Sequence, residues 1–131
     1  MNTIEIRTRA KEEFVDLTAE VGRLVAASGV ASGLCIVAVP HTTAGVTVNE
    51  NADPDVRADL LMTLRRIVPD SLPYAHAEGN SPAHVKASLV GSSVTLFVEG
   101  GRLQLGTWQG IFFCEFDGPR TRQARVRIIG K

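Results

Sequence analysis

The sequence predicts an α+β fold, with mostly antiparallel β-sheet layers, two main helices and one short helix. Three observations carry this prediction. Short segments with alternating apolar and polar residues recur along the chain, two longer stretches have apolar residues three and four positions apart, and Gly or Pro separates most of them. With 131 residues, 44% apolar and 21% charged, the chain is predicted to be a single globular domain over residues 1–131.

The first half of the chain is predicted to contain three strands and two helices. Residues 3–9 alternate as in a half-buried strand, whereas the apolar spacing that starts at residue 12 indicates a helix ending near 28–29. The apolar run 34–39 is typical of a buried central strand, and 46–50 alternates again. A helix is predicted over 53–68, because Asp is a favoured N-cap and Pro is tolerated at the first helical position.

The second half is predicted to be mainly strands. Residues 69–83 are polar and rich in proline, which indicates a long irregular connection of the type that is often functional. A short helix is expected at about 82–89, ending at Gly91. Four strands follow in two predicted pairs, 93–99 with 102–105 across Gly100-Gly101, and 110–116 with 121–129 across the turn 117–119.

Bulk composition argues against several classes of partner. Fourteen acidic and fourteen basic side chains give no net charge, so we expect neither nucleic acid nor a membrane surface as a partner. No apolar stretch approaches the roughly 20 residues that cross a bilayer, and the cytoplasm is the expected location. Cys35 and Cys114 lie in apolar runs and are predicted to be reduced core thiols.

The three histidines lie in polar segments and are the first candidates for site chemistry, because imidazole changes charge near neutral pH and ligates metals. His41 follows the predicted central strand and precedes Thr42, Thr43 and a glycine. Hydroxyls beside an imidazole suit a ligand site at a strand end. A surface turn in which the threonines satisfy the local backbone is the alternative.

His76 and His84 flank Glu78 and Asn80 in the polar connection. A loop could bring both imidazoles to one point, with Glu78 or Asn80 as a second layer of hydrogen bonding. The spacing leaves three interpretations open: a divalent metal site shared with His41, an acid–base pair, or ordinary polar packing.

Two further polar clusters are candidates. Asn49 and Glu50 end a predicted strand and have no evident structural duty, so Glu50 could hold Mg²⁺ or act as a general base. Trp108 and Gln109 lie between glycines and are interpreted equally well as a ligand face or as a core or subunit contact. Arg120 could bind phosphate or carboxylate, or be solvated.

Glu115 lies inside an apolar strand and needs a partner if it is buried. Pairing with Arg120 or Arg122 is the simplest solution.

Four ordered motifs carry a resemblance to a known family. HTTAGVTVNENADPDV (41–56), YAHAEGNSPAH (74–84), KASLVGSS (86–93) and GRLQLGTWQGIFFCEFDGPR (101–120) closely resemble the YjbQ-like family, also labelled secondary thiamine-phosphate synthase. The resemblance implies a small α+β domain, commonly a homotrimer with polar pockets near subunit boundaries. It also implies a transferase that joins a hydroxymethylpyrimidine diphosphate to a thiazole phosphate, as a side activity, and releases pyrophosphate.

Carried over position by position, the resemblance identifies matching positions, and we infer the roles of individual residues from their chemistry. We expect a divalent ion, Zn²⁺ or Mg²⁺, on His41, His76 and His84, and a small phosphorylated heterocycle as substrate. A metal-dependent hydrolase or lyase, and a non-catalytic trimeric binding protein, are the alternatives. The residues expected to be catalytic are His41, Glu50, His76 and His84, and those expected to bind substrate are Thr42, Thr43, Asn49, Glu78, Asn80, Trp108, Gln109 and Arg120.

Overall fold

A computed structural model describes all residues from 1 to 131 and contains eight strands and three helices. The α+β class and the antiparallel pairing are confirmed. In chain order the elements are β1 (Asn2–Arg7), β2 (Glu13–Asp16), α1 (Thr18–Ser28), β3 (Ser32–Ala38), β4 (Ala44–Glu50), α2 (Pro54–Ile67), α3 (Ser81–Val90), β5 (Ser93–Glu99), β6 (Arg102–Leu103), β7 (Gln109–Glu115) and β8 (Thr121–Gly130).

The strands form two antiparallel sheets. The larger sheet has the order β1-β8-β3-β5-β6, and the smaller one has the order β2-β7-β4. Inward-facing side chains from both sheets, among them Val37, Val46, Phe113 and Val126, pack with Val21 of α1 in the main core. This burial of apolar area is the dominant stabilising contribution to such a fold.

A second, smaller core lies on the other face of the β2-β7-β4 sheet. Phe14, Phe112 and Phe116 pack there against Ala83 and Ala87 of α3, with leucines of α2 at the edge. The smaller sheet is therefore covered on both faces, which explains why six of the seven residues of β7, Gly110 to Glu115, are buried.

The predicted start of the first helix is wrong. Residues Glu13–Asp16 form strand β2, which pairs antiparallel with β7, and helix α1 begins only at Thr18. The Asp16 carboxylate accepts hydrogen bonds from both the amide and the hydroxyl of Thr18 at the start of the helix. Phe14 satisfied the helical spacing by coincidence, because pairing with a strand nearly one hundred residues away overrides local periodicity.

The predicted pairing of 110–116 with 121–129 is also wrong. Strand β7 pairs with β2 and β4, whereas β8 pairs with β1 and β3, so the two strands belong to different sheets. The turn after Phe116 carries the chain from one sheet to the other. A buried ion pair between Glu115 and Arg122 spans this crossing.

Two local predictions are confirmed. The Asp53 side chain accepts a hydrogen bond from the amide of Asp55 and caps α2, with Pro54 at its first position. Strands β5 and β6 form a hairpin across Gly100 and Gly101, which both have positive φ (58° and 75°). Two successive residues with positive φ are the requirement of a type I′ turn, and glycine adopts them at no steric cost.

The packing of α3 on β4 depends on a glycine. A Cβ atom on Gly45 would lie 2.6 Å from the carbonyl oxygen of Gly91, and that carbonyl accepts a hydrogen bond from the Val46 amide at 3.0 Å. The close approach packs the C-terminal end of α3, at Val90 and Gly91, against β4.

The outer face of the larger sheet is not covered by another layer. The register places Leu34 of β3 between Phe97 of β5 and Ile129 of β8, in one row across three strands. Phe97 is 67% exposed and Ile129 is 46% exposed. Arg125 and Arg127 lie on the same face and are exposed, as the alternation in the last strand predicted.

Cys35 and Cys114 are free and buried, in agreement with their predicted role as core thiols. None of the three helices has both the length and the apolar character needed to span a membrane.

Candidate functional site

All three histidines lie around one polar cavity, which we call the histidine basin. Its volume is about 460 Å³, and imidazole, guanidinium, carboxylate, amide and hydroxyl groups dominate its walls. Pockets of this size accommodate small molecules. The lining residues are Pro40, His41, Thr42, Thr43, His76, Glu78, Asn80, His84, Asp117, Arg120 and Arg122.

The histidine basin is assembled from parts of the chain that are remote in sequence. The β3–β4 connection supplies His41, Thr42 and Thr43, the irregular segment after α2 supplies His76, and the first turn of α3 supplies His84. The crossing from β7 to β8 supplies Arg120, and the start of β8 supplies Arg122. Pro82 is the second residue of α3 and lies in its first turn, where proline is tolerated.

The floor of the histidine basin is a buried, charged network. Arg122, 3% exposed, donates from Nε and Nη2 to the carboxylate of Glu115, which is fully buried, and from Nη2 to the Thr43 hydroxyl at 2.8 Å. Thr8 donates to Glu115 at 2.9 Å. Of the two predicted partners of Glu115, the structure selects Arg122. These hydrogen bonds leave Nη1 of Arg122 free of partners within the network.

The charge of Glu115 is maintained despite its burial. Burial by itself raises the pKa of this carboxyl, but hydrogen bonds from Arg122, the Asp117 amide and Thr8, together with the charge of Arg122, hold the pKa below its usual range. The ion pair is therefore a permanent feature of the site near neutral pH.

One wall of the histidine basin is built around Asp117. Its carboxylate accepts hydrogen bonds from Nδ2 of Asn80 at 2.9 Å and from Nη2 of Arg120 at 3.2 Å. The guanidinium of Arg120 is further fixed by a bond from Nε to the Asp117 carbonyl. Arg120 is about half exposed, so part of its guanidinium faces solvent in the basin.

Another part of the wall carries the histidine pair. The ring centroids of His76 and His84 are 5.3 Å apart with the rings nearly perpendicular, and Nε2 of His76 lies 3.9 Å from the carboxylate of Glu78. His76 is 43% exposed, so this wall is accessible from solvent. Two imidazoles side by side can take up and release a proton between them.

His41 differs from the other two histidines. Its Nε2 accepts a hydrogen bond of 3.0 Å from the backbone amide of Gln123 in β8. Burial, and then the charges of Arg122, Arg120 and Arg125, lower the pKa of His41, against an opposite effect of Glu115. The charges that act on the His41 ring therefore have a net positive effect, while Asp117 offsets part of the charge of Arg120.

The three histidines do not form a ready-made metal site within one chain. Nε2 of His41 is occupied by the Gln123 amide, and no three His, Cys, Asp or Glu side chains converge as ligands. A divalent ion on all three imidazoles would require a different side-chain arrangement. The divalent ion expected from the resemblance stays a prediction.

A second cavity adjoins the first and shares three of its residues, His41, Thr42 and His84. This second cavity, the helix basin, has a volume of about 500 Å³. Small groups of β4, α3 and the chain after α3 form the rest of its wall, and they are Ala44, Ala87, Ser88, Gly91 and Ser92.

Four predicted site residues lie elsewhere. Asn49 and Glu50 are at the far end of β4, and Glu50 pairs with Gln109 at the start of β7. Six residue steps along a strand separate this end from Ala44 by roughly 20 Å. One chain therefore does not gather Asn49, Glu50, Trp108 and Gln109 around the histidines.

The side chains at this far end make local hydrogen bonds or are exposed to solvent. Asn49 accepts a hydrogen bond from the Glu50 amide, and Glu50 accepts one from the Asp53 amide. Gln109 accepts a bond from the Gly106 amide, whereas Trp108 is 62% exposed. Any role of these residues in binding or catalysis stays a prediction.

Two charged residues of the histidine basin are not among the predicted site residues. The sequence indicates Asp117 only as part of a turn, and Arg122 only as a partner of Glu115. The sequence does indicate that Arg122 is buried, because it lies an even number of residues from Ala124 and Val126 and so points to the same, buried side of β8. A charged residue at an inward position of a strand indicates a buried ionic site.

The fold and the site together define an α+β protein in which a histidine-rich polar basin lies where the two sheets meet. A family model described as "UPF0047 protein YjbQ-like" matches residues 2–131, and the chain belongs to this family.

Relatives and solved structures of this family are similar over nearly the whole chain. The UPF0047 protein MJ1081 of Methanocaldococcus jannaschii is 50% identical over 96% of this chain and 91% of the relative, and YugU of Bacillus subtilis is 48% identical over 99% of both. A crystal structure of a yjbq/upf0047 family protein from Clostridium acetobutylicum has a TM-score of 0.97 at 51% identity, and covers 98% of this chain and 100% of its own.

The predicted thiamine-phosphate synthase activity is wrong in the light of these comparisons. The relatives, at up to 50% identity, are named only as UPF0047 proteins. A structure from Sulfolobus solfataricus, with a TM-score of 0.96 at 34% identity over 99% of this chain and 96% of its own, is described as a YbjQ-like protein of unknown function. Nothing in these comparisons supports a transferase that uses thiamine precursors.

Proposed function

We propose that the histidine basin binds a small anionic compound, such as a phosphate ester or a carboxylate, and that His76 and His84 transfer protons to and from it. The observation that carries the proposal is the convergence of three imidazoles and two guanidinium groups on one polar cavity of about 460 Å³. A binding role alone would need the arginines but not a neighbouring pair of imidazoles.

The anion would bind at the end of the basin formed by His41, Thr43 and the two arginines. The positive potential at His41 favours negative charge there. Planar guanidinium groups match the oxygens of phosphate and carboxylate, and hydroxyl groups add neutral donors. Asp117 holds Arg120 in place and offsets part of its charge, which favours a small ligand of low charge over a polyanion.

Proton transfer would take place at the histidine pair. The 5.3 Å separation of the His76 and His84 rings allows one imidazole to act as base while the other acts as acid. Histidine in this role contributes about 10²- to 10⁴-fold to a reaction rate. Glu78, near His76, would stabilise the imidazolium when it forms.

Binding is tested with inorganic phosphate, by following histidine side-chain resonances by NMR and heat by calorimetry. We expect saturable shifts at His41 and His84, and about tenfold weaker binding in Arg120→Gln, because a charge-assisted hydrogen bond is removed. Arg102→Gln, an exposed arginine of β6 outside the basin, is the matched control. Phosphate that leaves all three histidines unshifted contradicts an anion site here.

Proton transfer is tested with a panel of phosphate monoesters, carboxylate esters and lactones. We expect a turnover that falls by roughly 10²- to 10⁴-fold when His76 and His84 are both replaced by Ala, while phosphate binding at the arginines persists. A turnover that is unchanged in the double variant excludes the histidine pair as the acid–base group.

We also propose that copies of the chain associate through the uncovered face of the larger sheet, as the expected homotrimer. The row formed by Phe97, Leu34 and Ile129 exposes apolar area, of the type that marks association surfaces. Gln123, whose amide holds His41, points the same way on β8 but lies six residues from Ile129, roughly 20 Å along the strand, so this apolar row is remote from the basin.

Association is tested by sedimentation of a variant with Phe97→Asp and Ile129→Asp. We expect wild-type protein to sediment as a trimer and this variant as a monomer. Met62→Asp, at an exposed apolar residue of α2, is the control and should leave the trimer intact. A wild-type monomer at micromolar concentration refutes the proposal.

A further inference from the structure

The hydrogen bond to His41 determines where its proton lies. A backbone amide can only donate, so Nε2 of His41 must present a lone pair to the Gln123 amide at 3.0 Å. In the neutral ring the single N–H is then on Nδ1. A proton on Nε2 would place two N–H groups face to face, which this contact does not allow.

The surroundings of His41 favour the neutral ring. The charged groups that act on it are Arg122, Arg120, Arg125 and Glu115, and their net effect is that of positive charge. Burial opposes the imidazolium as well, and both effects lower the pKa. The ring also packs edge-on against Phe113 of β7, with centroids 6.5 Å apart, which holds its plane.

The other nitrogen of His41 is available to a ligand. Nδ1 has no hydrogen-bond partner in the chain and is not among the buried unpartnered atoms. Both the histidine basin and the helix basin include this ring in their walls, together with Thr42 and His84. His41 therefore lies at the junction of two cavities, one rich in charge and one walled by small groups.

We infer that His41 is a positioning residue: it is held as the neutral Nδ1–H tautomer by the Gln123 amide and donates a hydrogen bond to an oxygen of the anion at the junction of the two basins. This role rests on the proposed anion site. It differs from the predicted role of His41 as a metal ligand, because a protonated Nδ1 has no lone pair for a metal.

The junction also indicates the shape of the ligand. An anionic group held by the arginines in the histidine basin would project the rest of the molecule past His41 and His84 into the helix basin. The small wall there, Ala44, Ala87 and Gly91, leaves room for a compact uncharged group. The ligand class is therefore a small monoester or carboxylate with one such substituent.

The tautomer is tested directly on wild-type protein with ¹⁵N-labelled histidine. Long-range ¹H–¹⁵N correlation at neutral pH distinguishes the two ring nitrogens. We expect Nδ1 of His41 to be protonated and Nε2 to be the unprotonated, hydrogen-bonded nitrogen. A protonated Nε2 overturns the inference, whatever the basin binds.

The donor role is tested with variants that keep one nitrogen position each. The amide nitrogen of Asn reproduces the position of Nδ1, and that of Gln reproduces the position of Nε2. We expect His41→Asn to bind inorganic phosphate within about twofold of wild type, and His41→Gln and His41→Ala to bind about tenfold more weakly, the effect of one lost hydrogen bond to a charged acceptor. Thermal unfolding verifies that each variant is folded.

The outcomes separate the two proposals. Equal weakening in His41→Asn and His41→Gln, with binding still sensitive to Arg120→Gln, overturns the donor role but leaves the anion site standing. Wild-type protein that does not bind phosphate overturns the anion site and the donor role together, while the NMR measurement still decides the tautomer.

The substituent in the helix basin is tested with Ser88→Trp. This variant should weaken the binding of phenyl phosphate more than the binding of inorganic phosphate, and Leu89→Trp is its control on the same helix. Equal effects on both probes contradict a substituent in the helix basin.

Discussion

Replacing Glu115 by Gln should destabilise the protein strongly at neutral pH. Glu115 is fully buried and accepts hydrogen bonds from Nε and Nη2 of Arg122, from the Thr8 hydroxyl and from the Asp117 amide. Glutamine has nearly the same shape but is neutral, so it leaves the Arg122 guanidinium buried without its counter-charge. It also presents an NH₂ group where the network provides only donors.

The magnitude follows from the burial of both partners. Removing one partner of a buried ion pair costs about 3–5 kcal/mol, and the remaining amide oxygen of Gln places the expectation near the lower end. A loss of about 3 kcal/mol lowers the melting temperature of a domain of this size by roughly 10–15 °C. The total stability of a typical domain, about 5–15 kcal/mol, exceeds this loss.

Urea denaturation at pH 7 and at acidic pH measures the effect. The pKa of Glu115 is lower in the folded than in the unfolded chain, so its contribution is complete above the usual value of 4.5 and disappears as the pH falls through the folded pKa. The difference between wild type and Glu115→Gln should therefore shrink below pH 4.5.

Two comparisons make this measurement decisive. Glu5→Gln, at a carboxylate that is 64% exposed and near Arg7, should change the stability by less than about 0.5 kcal/mol. The pair Glu115→Leu with Arg122→Met should be less destabilised than Glu115→Gln alone, because no charge is left buried. A loss below about 1 kcal/mol in Glu115→Gln would refute the reasoning.

Three further outcomes are expected. Gly45→Ala should cost about 1–3 kcal/mol in urea denaturation, because its Cβ would lie 2.6 Å from the carbonyl oxygen of Gly91; an unchanged midpoint contradicts this close packing. The pKa of His41 measured by NMR should lie below 6.5, and a value above 6.5 contradicts the reasoning. The free energy of unfolding should rise with pH between the folded pKa of His41 and 6.5, because only the unfolded chain binds the proton in that range. Lys86→Met should lower the free energy of unfolding by about 1–3 kcal/mol, because Lys86 is buried and donates to Glu12 at 2.7 Å. A loss no larger than that of an exposed lysine would show that this pair does not stabilise the fold.

The parts of the fold that could be predicted are those governed by local chemistry. Asp53-Pro54 specified the start of α2 through one side-chain cap and one fixed backbone angle. Gly100-Gly101 specified the β5–β6 hairpin, because few residues other than glycine adopt two positive φ angles in succession. The polarity of 69–83 likewise indicated the irregular segment that carries His76.

The wrong predictions concern partners that are distant along the chain. Residues 13–16 have a spacing compatible with a helix, and only the edge of β7 makes them a strand. Strands β7 and β8 are neighbours in sequence with a turn between them, yet each finds its partners in a different sheet. Such choices depend on which inward faces bury the most apolar area together, and that quantity is not visible in a local window.

For the candidate site, too, the features set by local chemistry could be predicted and those set by long-range pairing could not. Residue types and their segments identified the three histidines, Glu78, Asn80 and Arg120 as candidates, because these side chains have few structural duties in a polar loop. The distinction between the two ends of β4 required the pairing of β4 with β7, which places Glu50 and Trp108 at the far end from His41. Strand register depends on residues that are far apart along the chain, and here it determines which side chains line the basin.

The amino-acid sequence by itself determined the family, the α+β class and the identity of the reactive side chains, since these follow from residue type and local spacing. The tertiary structure alone decided that His41 has its Nε2 on the Gln123 amide and that Arg122 lies beneath the basin as the partner of Glu115. The physical reason is that the direction of a hydrogen bond and the burial of a charge are properties of neighbours in space. Those neighbours come together only when the two sheets pack.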